Sequence, residues 1–274
     1  VIENFIRTLD IESTGIDPAA DQIIEAAFYD VYPDGRICNP VQTFVKPSIP
    51  IPPESRAVHH LSDEDVAGGI TLEELRELLL AGDPVAFCAH NSRFEESFLK
   101  NVIPEVRWLD TYRAALRMWP EAPRHTNQVL RYWLDLEMDE EKAMPPHRAL
   151  PDAFVTANIL SFMIFQEGEH KIKRIAAWSK QPGLLPKVLF GKHRGKTWAE
   201  VPFDYLQWIC DKADDMDEDV KFTAWQQLID RQMRQPAAIE EGCRMGKVIG
   251  ALKAKHGASL DMGATSAAVK AALG

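Results

Sequence analysis

"TLDIESTG", residues 8–15, sets two acids, Asp10 and Glu12, into a stretch that otherwise reads as a buried strand after the apolar-rich "VIENFIRTL". Side chains alternate across a strand, so residues two apart project from one face. Asp10 and Glu12 therefore aim two carboxylates at one place. Like charges held that close repel, and burying them unpaired is costly. A bound cation would relieve both penalties, which predicts a metal-ligating strand with further ligands elsewhere in the chain. Taken alone, the pair is also what a strand end capping the turn at Gly15 would carry.

Outward from this stretch the chain alternates recognisable elements. "QIIEAAFYDVY" (22–32), a Pro33-Asp34-Gly35 turn and "ICNPVQTFVK" (37–46) read as two further strands. The proline-rich "PSIPIPPES" (47–55) ends that run as a loop. "TLEELRELLLA" (71–81) has helical apolar spacing behind Thr71, a suitable N-cap. "PVAFCAH" (84–90) reads as a short strand, and "SRFEESFLKNV" (92–102) as the helix after it. "LDTYRAALRMW", "TNQVLRYWL" and "PDAFVTANILSFMIFQ" read as later helices. Strands first, then helix and strand in alternation, predict an α/β sandwich on a mixed sheet.

A boundary is predicted at Gly168 and the basic segment after it. Beyond it, "KVLFGKHRGKTWAEV" (187–201) reads as two short strands around a Gly-Lys-His-Arg-Gly turn. Helices over 203–212 and 221–232 follow, then an Ala- and Gly-rich helical tail. The expected domains are 1–168, a small basic α+β domain over 187–235, and a helical tail over 238–274.

The 274 residues are 46% hydrophobic and 26% charged, ordinary for a globular protein with one substantial core and room for a second small domain. The four cysteines are scattered without CxxC spacing, which suggests reduced thiols rather than a disulfide framework. No apolar run is expected to reach the roughly 18 residues of a membrane span. The first residues do not have a signal-peptide pattern. A cytoplasmic setting without membrane association is expected. The formal net charge of −10 argues against sequence-independent adhesion to nucleic acid, but the charge is unevenly placed. Residues 171–198 hold eight basic residues and no acid, whereas 210–219 hold six acids. Such a chain can still present a local cationic surface, although a solvated linker and hairpin would have the same composition.

Two further segments carry acids beside histidine: "AHNSRFEESFL" (89–99) and "HRALPDAFVTA" (147–157). With these, residues 4–167 resemble the DnaQ-like 3′–5′ exonucleases of the DEDD group that use a histidine base. That family's Asp-x-Glu is matched by Asp10 and Glu12. Its His-Asn-x-x-Phe-Asp is matched by His90, Asn91 and Phe94, with Glu95 in place of the aspartate. Its His-x4-Asp is matched by His147 and Asp152. "PIPPESRAVHHLS" (50–62) resembles the family's intervening loop, with His59 in its histidine position. "LFGKHRGKTWAEVPFDYLQWI" (189–209) resembles the small C-terminal domain of the exonuclease X-like branch, and residues 245–273 weakly resemble the tail domain of GatB and YqeY proteins. The resemblance implies an RNase H-like α/β exonuclease domain with a mixed five-stranded sheet, followed by the small α+β domain and the helical tail.

It also implies a mechanism. Phosphodiester hydrolysis needs an activated water and a stabilised leaving oxygen, which two Mg²⁺ (or Mn²⁺) ions can supply together. Asp10, Glu12, Glu95 and Asp152 are the expected metal ligands, since these cations prefer hard carboxylate oxygens. His147 is the expected general base, because imidazole exchanges protons near neutral pH. Ser13, Thr14 and Ile16 stand where the family contacts the terminal nucleotide. His59 and Asn91 are further substrate-site candidates, and Lys192, Arg194 and Lys196 crowd one turn as candidates for phosphate contact. Pro151 should place the start of the last helix near Leu150, since proline is tolerated only in a first helical turn. Phe190, Trp198, Tyr205 and Trp208 are expected in the core of the small domain. The expected partner is DNA, at single-stranded and duplex ends. The alternatives are an exoribonuclease acting on tRNA or other structured RNA ends, and a non-catalytic nucleic-acid-binding relic in which Glu95 marks decay.

Overall fold

The computed structural model describes residues 4–166, 171–212 and 215–234. The expected helical tail over 238–274, with its GatB/YqeY resemblance, and the boundary at Gly168 lie outside these residues. The described residues form two compact units, one of those up to Ala115 with those in 122–179, the other of Leu116–Glu121 with those from Lys180 to Arg234.

The first unit is built on a five-stranded mixed sheet of order β3-β2-β1-β4-β5. β1 (Ile6–Ser13), β2 (Ile23–Val31) and β3 (Ile37–Phe44) form an antiparallel meander, the run of strands that the turn residues predict. The chain then crosses over through α1 (Pro53–His59), α2 (Asp63–Val66) and α3 (Leu72–Leu80). α1 begins inside the stretch read as a proline-rich loop, with Pro53 in its first turn, and α2 follows beyond that stretch, where Ser62 with Asp65 closes a capping box. β4 (Ala86–Ala89) returns parallel to β1, α4 (Arg93–Leu99) follows, and β5 (Trp108–Asp110) pairs parallel with β4. At three residues β5 has too little periodicity to be read from sequence. α5 (Thr111–Met118), α6 (Asn127–Trp133), α7 (Ala149–Gln166) and α8 (Lys171–Ser179) follow.

Alternation along β1 sorts the two faces. Leu9 and Ile11 enter a core with Phe28, Leu75, Leu79, Phe87 and Leu99. Asp10 and Glu12 face the opposite way, the side on which α7 packs against β1 and β2. Arg7 locks the first face's cover in place. Its buried guanidinium pairs with Asp30 at 2.8 Å and donates to the carbonyls of Leu79 at 2.6 Å and Ala81 at 3.0 Å, satisfying acceptors left open at the end of α3.

α7 starts at Ala149, one residue before the position that Pro151 predicts. It is also long and apolar enough, at 18 residues and mean hydropathy 1.3, to span a membrane by length and composition alone, contrary to the expectation from sequence. The reason is a helix buried on more than one side, with Ala149, Ala153, Val155, Ala157, Ile159 and Leu160 fully buried. α8 falls in the basic stretch. Ile175 is fully buried, and the Ser179 hydroxyl accepts from the Asp110 amide at 2.7 Å.

In the second unit, α9 (Phe203–Lys212) packs on α10 (Glu218–Arg234), burying Leu206, Ile209 and Ala224. The expected pair of strands is reduced to one bridge, Lys187 to Thr197. Between them the chain turns through a 3₁₀ segment, Gly191–His193, with Gly191 and Gly195 both at positive φ, so little extended backbone remains to pair. Arg231 donates to the carbonyls of Trp198, Ala199 and Val201, joining α10 to this turn region.

Candidate active site

The end of β1 and the start of α7 converge. One carboxylate oxygen each from Asp10, Glu12 and Asp152 lie within 4.8 Å of one another, and all three residues are half-buried. Burial raises the Asp10 carboxyl well above the ordinary carboxylate range, and of the neighbouring charges Glu95 adds most, then Asp152 and Glu12. Glu12 is pushed up to about 8 by burial first and then by Asp152 and Glu25. Burial also raises Asp152, against the opposing pull of the His147 amide. Three acids held in this state make up a site short of positive charge.

Glu95 joins them from α4. It is 4% exposed, and its Oε2 has no hydrogen-bond partner, an orphaned buried oxygen on an acid that adds to the field on Asp10. Burial pushes it up to about 8. The adjacent Glu96 instead accepts a hydrogen bond from the Ser92 hydroxyl at 2.6 Å. Of the two glutamates, Glu95 is the one the helix turns toward the carboxylates. The residue set fits a hard divalent cation: oxygen donors only, excess negative charge, and one buried oxygen without a partner. Asp10, Glu12 and Asp152 would hold it, with Glu95 beside them.

This arrangement makes the metal-free protein sensitive to pH. Glu95 keeps its proton in the folded state up to about 8, against 4.5 for an ordinary glutamate. A group whose folded pKa is raised contributes stability that is present below its unfolded pKa and lost as pH rises through the folded one. In EDTA the melting temperature should therefore fall between about pH 4.5 and 8, and Mn²⁺ should restore most of it at the alkaline end. Glu95→Gln should lessen the fall, which Glu12, Asp10 and Asp152 also feed, and severely reduce cleavage, whereas Glu96→Gln should do neither. Because glutamate reaches further than aspartate by about 1.5 Å, one carbon–carbon bond, Mn²⁺ should support activity better than the more rigidly octahedral Mg²⁺. A larger effect of Glu96→Gln than of Glu95→Gln on melting or cleavage would assign the wrong acid.

His147 is exposed, with φ of +61°, at the end of the loop entering α7. Its backbone N–H, not its ring, donates to Asp152 Oδ2 at 2.7 Å. The imidazole is left at the edge of the carboxylate group, on backbone tied to the metal-ligand candidate itself.

Several residues that anchor this site were not recognised in the sequence. Glu25 lies directly across β1–β2 from Glu12 and is fully buried. It accepts from Arg148 at 2.7 and 3.1 Å, from the Ala149 amide at 3.1 Å, and from the Gln42 side chain. Burial alone would raise Glu25, but these bonds outweigh it and hold its carboxyl below the usual glutamate value. The α7 entry, Arg148 and Ala149, is thereby pinned to the sheet between His147 and Asp152. Gln128 on α6 reaches Asp152 Oδ1 at 3.5 Å, and buried Arg131 bonds Gln128, Glu140 and the Ala143 carbonyl, holding the loop before His147. The signal for Glu25 was present: a single acid inside the apolar "QIIEAAF".

The other candidates occupy varied settings. Ser13 donates to the Gly15 carbonyl, and the Thr14 hydroxyl, 1% exposed, bonds Asp21 at 3.1 Å and the Gln22 amide at 3.0 Å. These hydroxyls knit the loop after β1 together. A Cβ at Gly15 would come 2.4 Å from the Asp21 carboxylate, so a larger residue there would displace that side chain from its bond to Thr14. Ile16, beyond it, is 87% exposed. His59 is buried, its Nδ1 accepting from the Leu61 amide at 3.0 Å; burial lowers its pKa and keeps the ring neutral. Asn91 sits at φ of +71° and donates its backbone N–H to Asp110 at 3.1 Å. His90, which donates from Nε2 to the His125 carbonyl at 2.6 Å, is lowered to about 4 by burial and is a neutral structural group. Lys192, Arg194 and Lys196 are exposed on the second unit. Trp198, at 3% exposure, is core as expected, but Trp208 is 43% exposed, because α9 buries Leu206 and Ile209 instead.

Residues 8–160 match the RNase_T exonuclease family. Exodeoxyribonuclease 10 of Escherichia coli K12 is 29% identical over 223 residues, 80% of this chain and 96% of that protein. A PolC-type DNA polymerase III of Thermotoga petrophila is 34% identical over 168 residues, 60% of this chain but 12% of that one. Among solved structures, exonuclease X in complex with 5′-overhanging duplex DNA superposes with a TM-score of 0.55 at 28% identity, covering 64% of this chain and 99% of that one. Escherichia coli exonuclease I bound to a dA16 oligonucleotide gives a TM-score of 0.51 at 13% identity over 64% of this chain and 43% of its own, a likeness of fold alone.

Proposed function

From the premise that the chain belongs to the RNase_T family of DnaQ-like exonucleases, we propose that it removes nucleoside 5′-monophosphates from the 3′ ends of DNA in a divalent-metal-dependent reaction. The observation that carries this reading is the convergence of Asp10, Glu12 and Asp152 within 4.8 Å, with Glu95 buried beside them and His147 at the rim. Two Mg²⁺ or Mn²⁺ ions, when bound, would lower the pKa of a water and neutralise charge on the phosphate and leaving oxygen. Asp10, Glu12, Glu95 and Asp152 hold oxygen donors in place for them. The His147 imidazole takes the proton from the attacking water. Glu25 and Arg148 fix the loop from which it does so.

The substrate contacts follow from exposure. Ile16, on the loop directly after β1, offers an apolar surface for a base edge, while the Ser13 and Thr14 hydroxyls hold that loop in shape. Lys192, Arg194 and Lys196 offer charge to phosphates. DNA is favoured as substrate by the similarity to Exodeoxyribonuclease 10 and to a structure of exonuclease X with duplex DNA.

The test uses DNA and RNA oligonucleotides labelled at either end and incubated with Mg²⁺, Mn²⁺ or EDTA. Stepwise shortening of 5′-labelled DNA, with release of mononucleotide from 3′-labelled DNA and no reaction in EDTA, is the expected outcome. Shortening from the 5′ end, or cleavage of RNA alone, would overturn it.

A further inference from the structure

The small unit places aromatic rings and cations together. Tyr205 and Trp208 are three apart on α9 and so share a face. Their rings stack with centroids 5.4 Å apart and planes inclined by 29°. Lys192 Nζ lies 5.0 Å from the Tyr205 ring centroid, and His193 packs edge-on against the same ring at 4.6 Å. The basic turn therefore rests on the aromatic pair. Gly191 permits this approach, because a Cβ there would come 3.2 Å from the Tyr205 hydroxyl.

The composition of this face is unusual for the exposed side of a short helix. α9 buries Leu206 and Ile209 completely, which accounts for its packing, yet leaves Trp208 43% and Phe203 44% exposed. Residues 187–196 carry Lys187, Lys192, Arg194 and Lys196 and no acid. Lys192, Arg194 and Lys196 are exposed, and none forms an ion pair among the described residues. Beneath them His193, 6% exposed, has no hydrogen-bond partner at either ring nitrogen.

Flat rings beside cations match the two repeating features of an unpaired nucleic-acid strand, its base faces and its phosphates. A duplex hides its base faces, and an aliphatic partner would not use the charges. The acids that follow in the sequence, at 211–219, would repel a phosphate backbone. We propose that Lys192, Tyr205 and Trp208 form a binding site for single-stranded DNA, with Trp208 stacked on a base and Lys192, Arg194 and Lys196 on neighbouring phosphates. The choice of DNA rests on the substrate proposed above, while the site is built from residues of the second unit alone.

The experiment measures binding of labelled oligothymidylate and oligouridylate to the full chain in EDTA, where no cleavage occurs, at several salt concentrations. Trp208→Ala should weaken oligothymidylate binding roughly tenfold, and Trp208→Phe should recover most of the loss. Changing Lys192, Arg194 and Lys196 together to glutamine should weaken binding at low salt and lower the salt slope by about two to three. These three side chains are exposed, so the charge variant tests the site even if Trp208→Ala fails to fold. Unchanged affinity and slope in the charge variant would overturn the proposal, as would equal binding by a folded Trp208→Ala chain. Tighter binding of oligouridylate would overturn the assignment to DNA. Cleavage of a labelled dinucleotide in Mn²⁺ by the unmodified chain reports on the exonuclease reading alone, so the two can fail independently.

Discussion

Asp152→Ala, and equally Asp10→Ala, should reduce metal-dependent nucleotide release to the level seen with EDTA, a loss of several orders of magnitude, while the fold persists. Each residue supplies one of three carboxylate oxygens gathered within 4.8 Å. A divalent cation that keeps most of its own waters depends on very few protein oxygens, so losing one removes a large share of its protein ligands. Stability should not suffer in proportion. Asp10 is held well above the ordinary carboxylate range by burial and by three or more neighbouring acids, so its removal relieves repulsion in the metal-free protein. Asp152 bonds the His147 amide at 2.7 Å and Gln128 at 3.5 Å, both beside its own helix entry. The check pairs a cleavage assay with melting curves in EDTA and in Mn²⁺. Both variants should melt in EDTA at or near the temperature of the unmodified protein and show a reduced gain with Mn²⁺. Substantial Mg²⁺-dependent cleavage by either folded variant would remove these residues from the metal site.

His147→Ala should lower the cleavage rate by roughly 10²–10⁴-fold, the usual contribution of a general base, without removing the gain in melting temperature on adding Mn²⁺. The link from His147 to Asp152 runs through the backbone N–H, which alanine retains. On the other side, Arg148 and the Ala149 amide remain bound to Glu25. The loop therefore keeps its path while the imidazole is lost, separating proton transfer from ligand geometry. Loss of the Mn²⁺-dependent gain in this variant would make His147 a ligand instead of a base. Histidine is more common than alanine at positive φ, so at φ of +61° the alanine carries somewhat more backbone strain, and the melting curve in EDTA reports that difference separately from the rate.

Local regularities made the framework of this site legible. A period of two along β1 puts Asp10 and Glu12 on one face and Leu9 and Ile11 on the other, whatever packs against them. Pro151 confines the start of α7 to within a residue or so, and with it the placement of Asp152 in the first turn. Turn residues at 33–35 and the spacing of short apolar runs announce the meander and the β4 strand that returns beside it. The similarity of the three acidic motifs to a known exonuclease family then pointed to the family, which the match over residues 8–160 bears out.

Other features follow from distance and depth, which periodicity does not encode. Glu25 and Arg148 are 123 positions apart, and only the packing of α7 on β2 makes them partners. The choice of Glu95 over Glu96 depends on the rotation of α4 against the sheet. Two adjacent helix positions differ by about 100°, enough to bury one acid and leave the other to Ser92. In α9 the spacing is compatible with burying Trp208, yet Leu206 and Ile209 meet α10 and the tryptophan is left outside. The candidate site residues were set by the local sequence; which acids are desolvated, which are paired and which rings face solvent was decided by tertiary packing, because desolvation and long-range pairing depend on what lies across the space and not on what precedes along the chain.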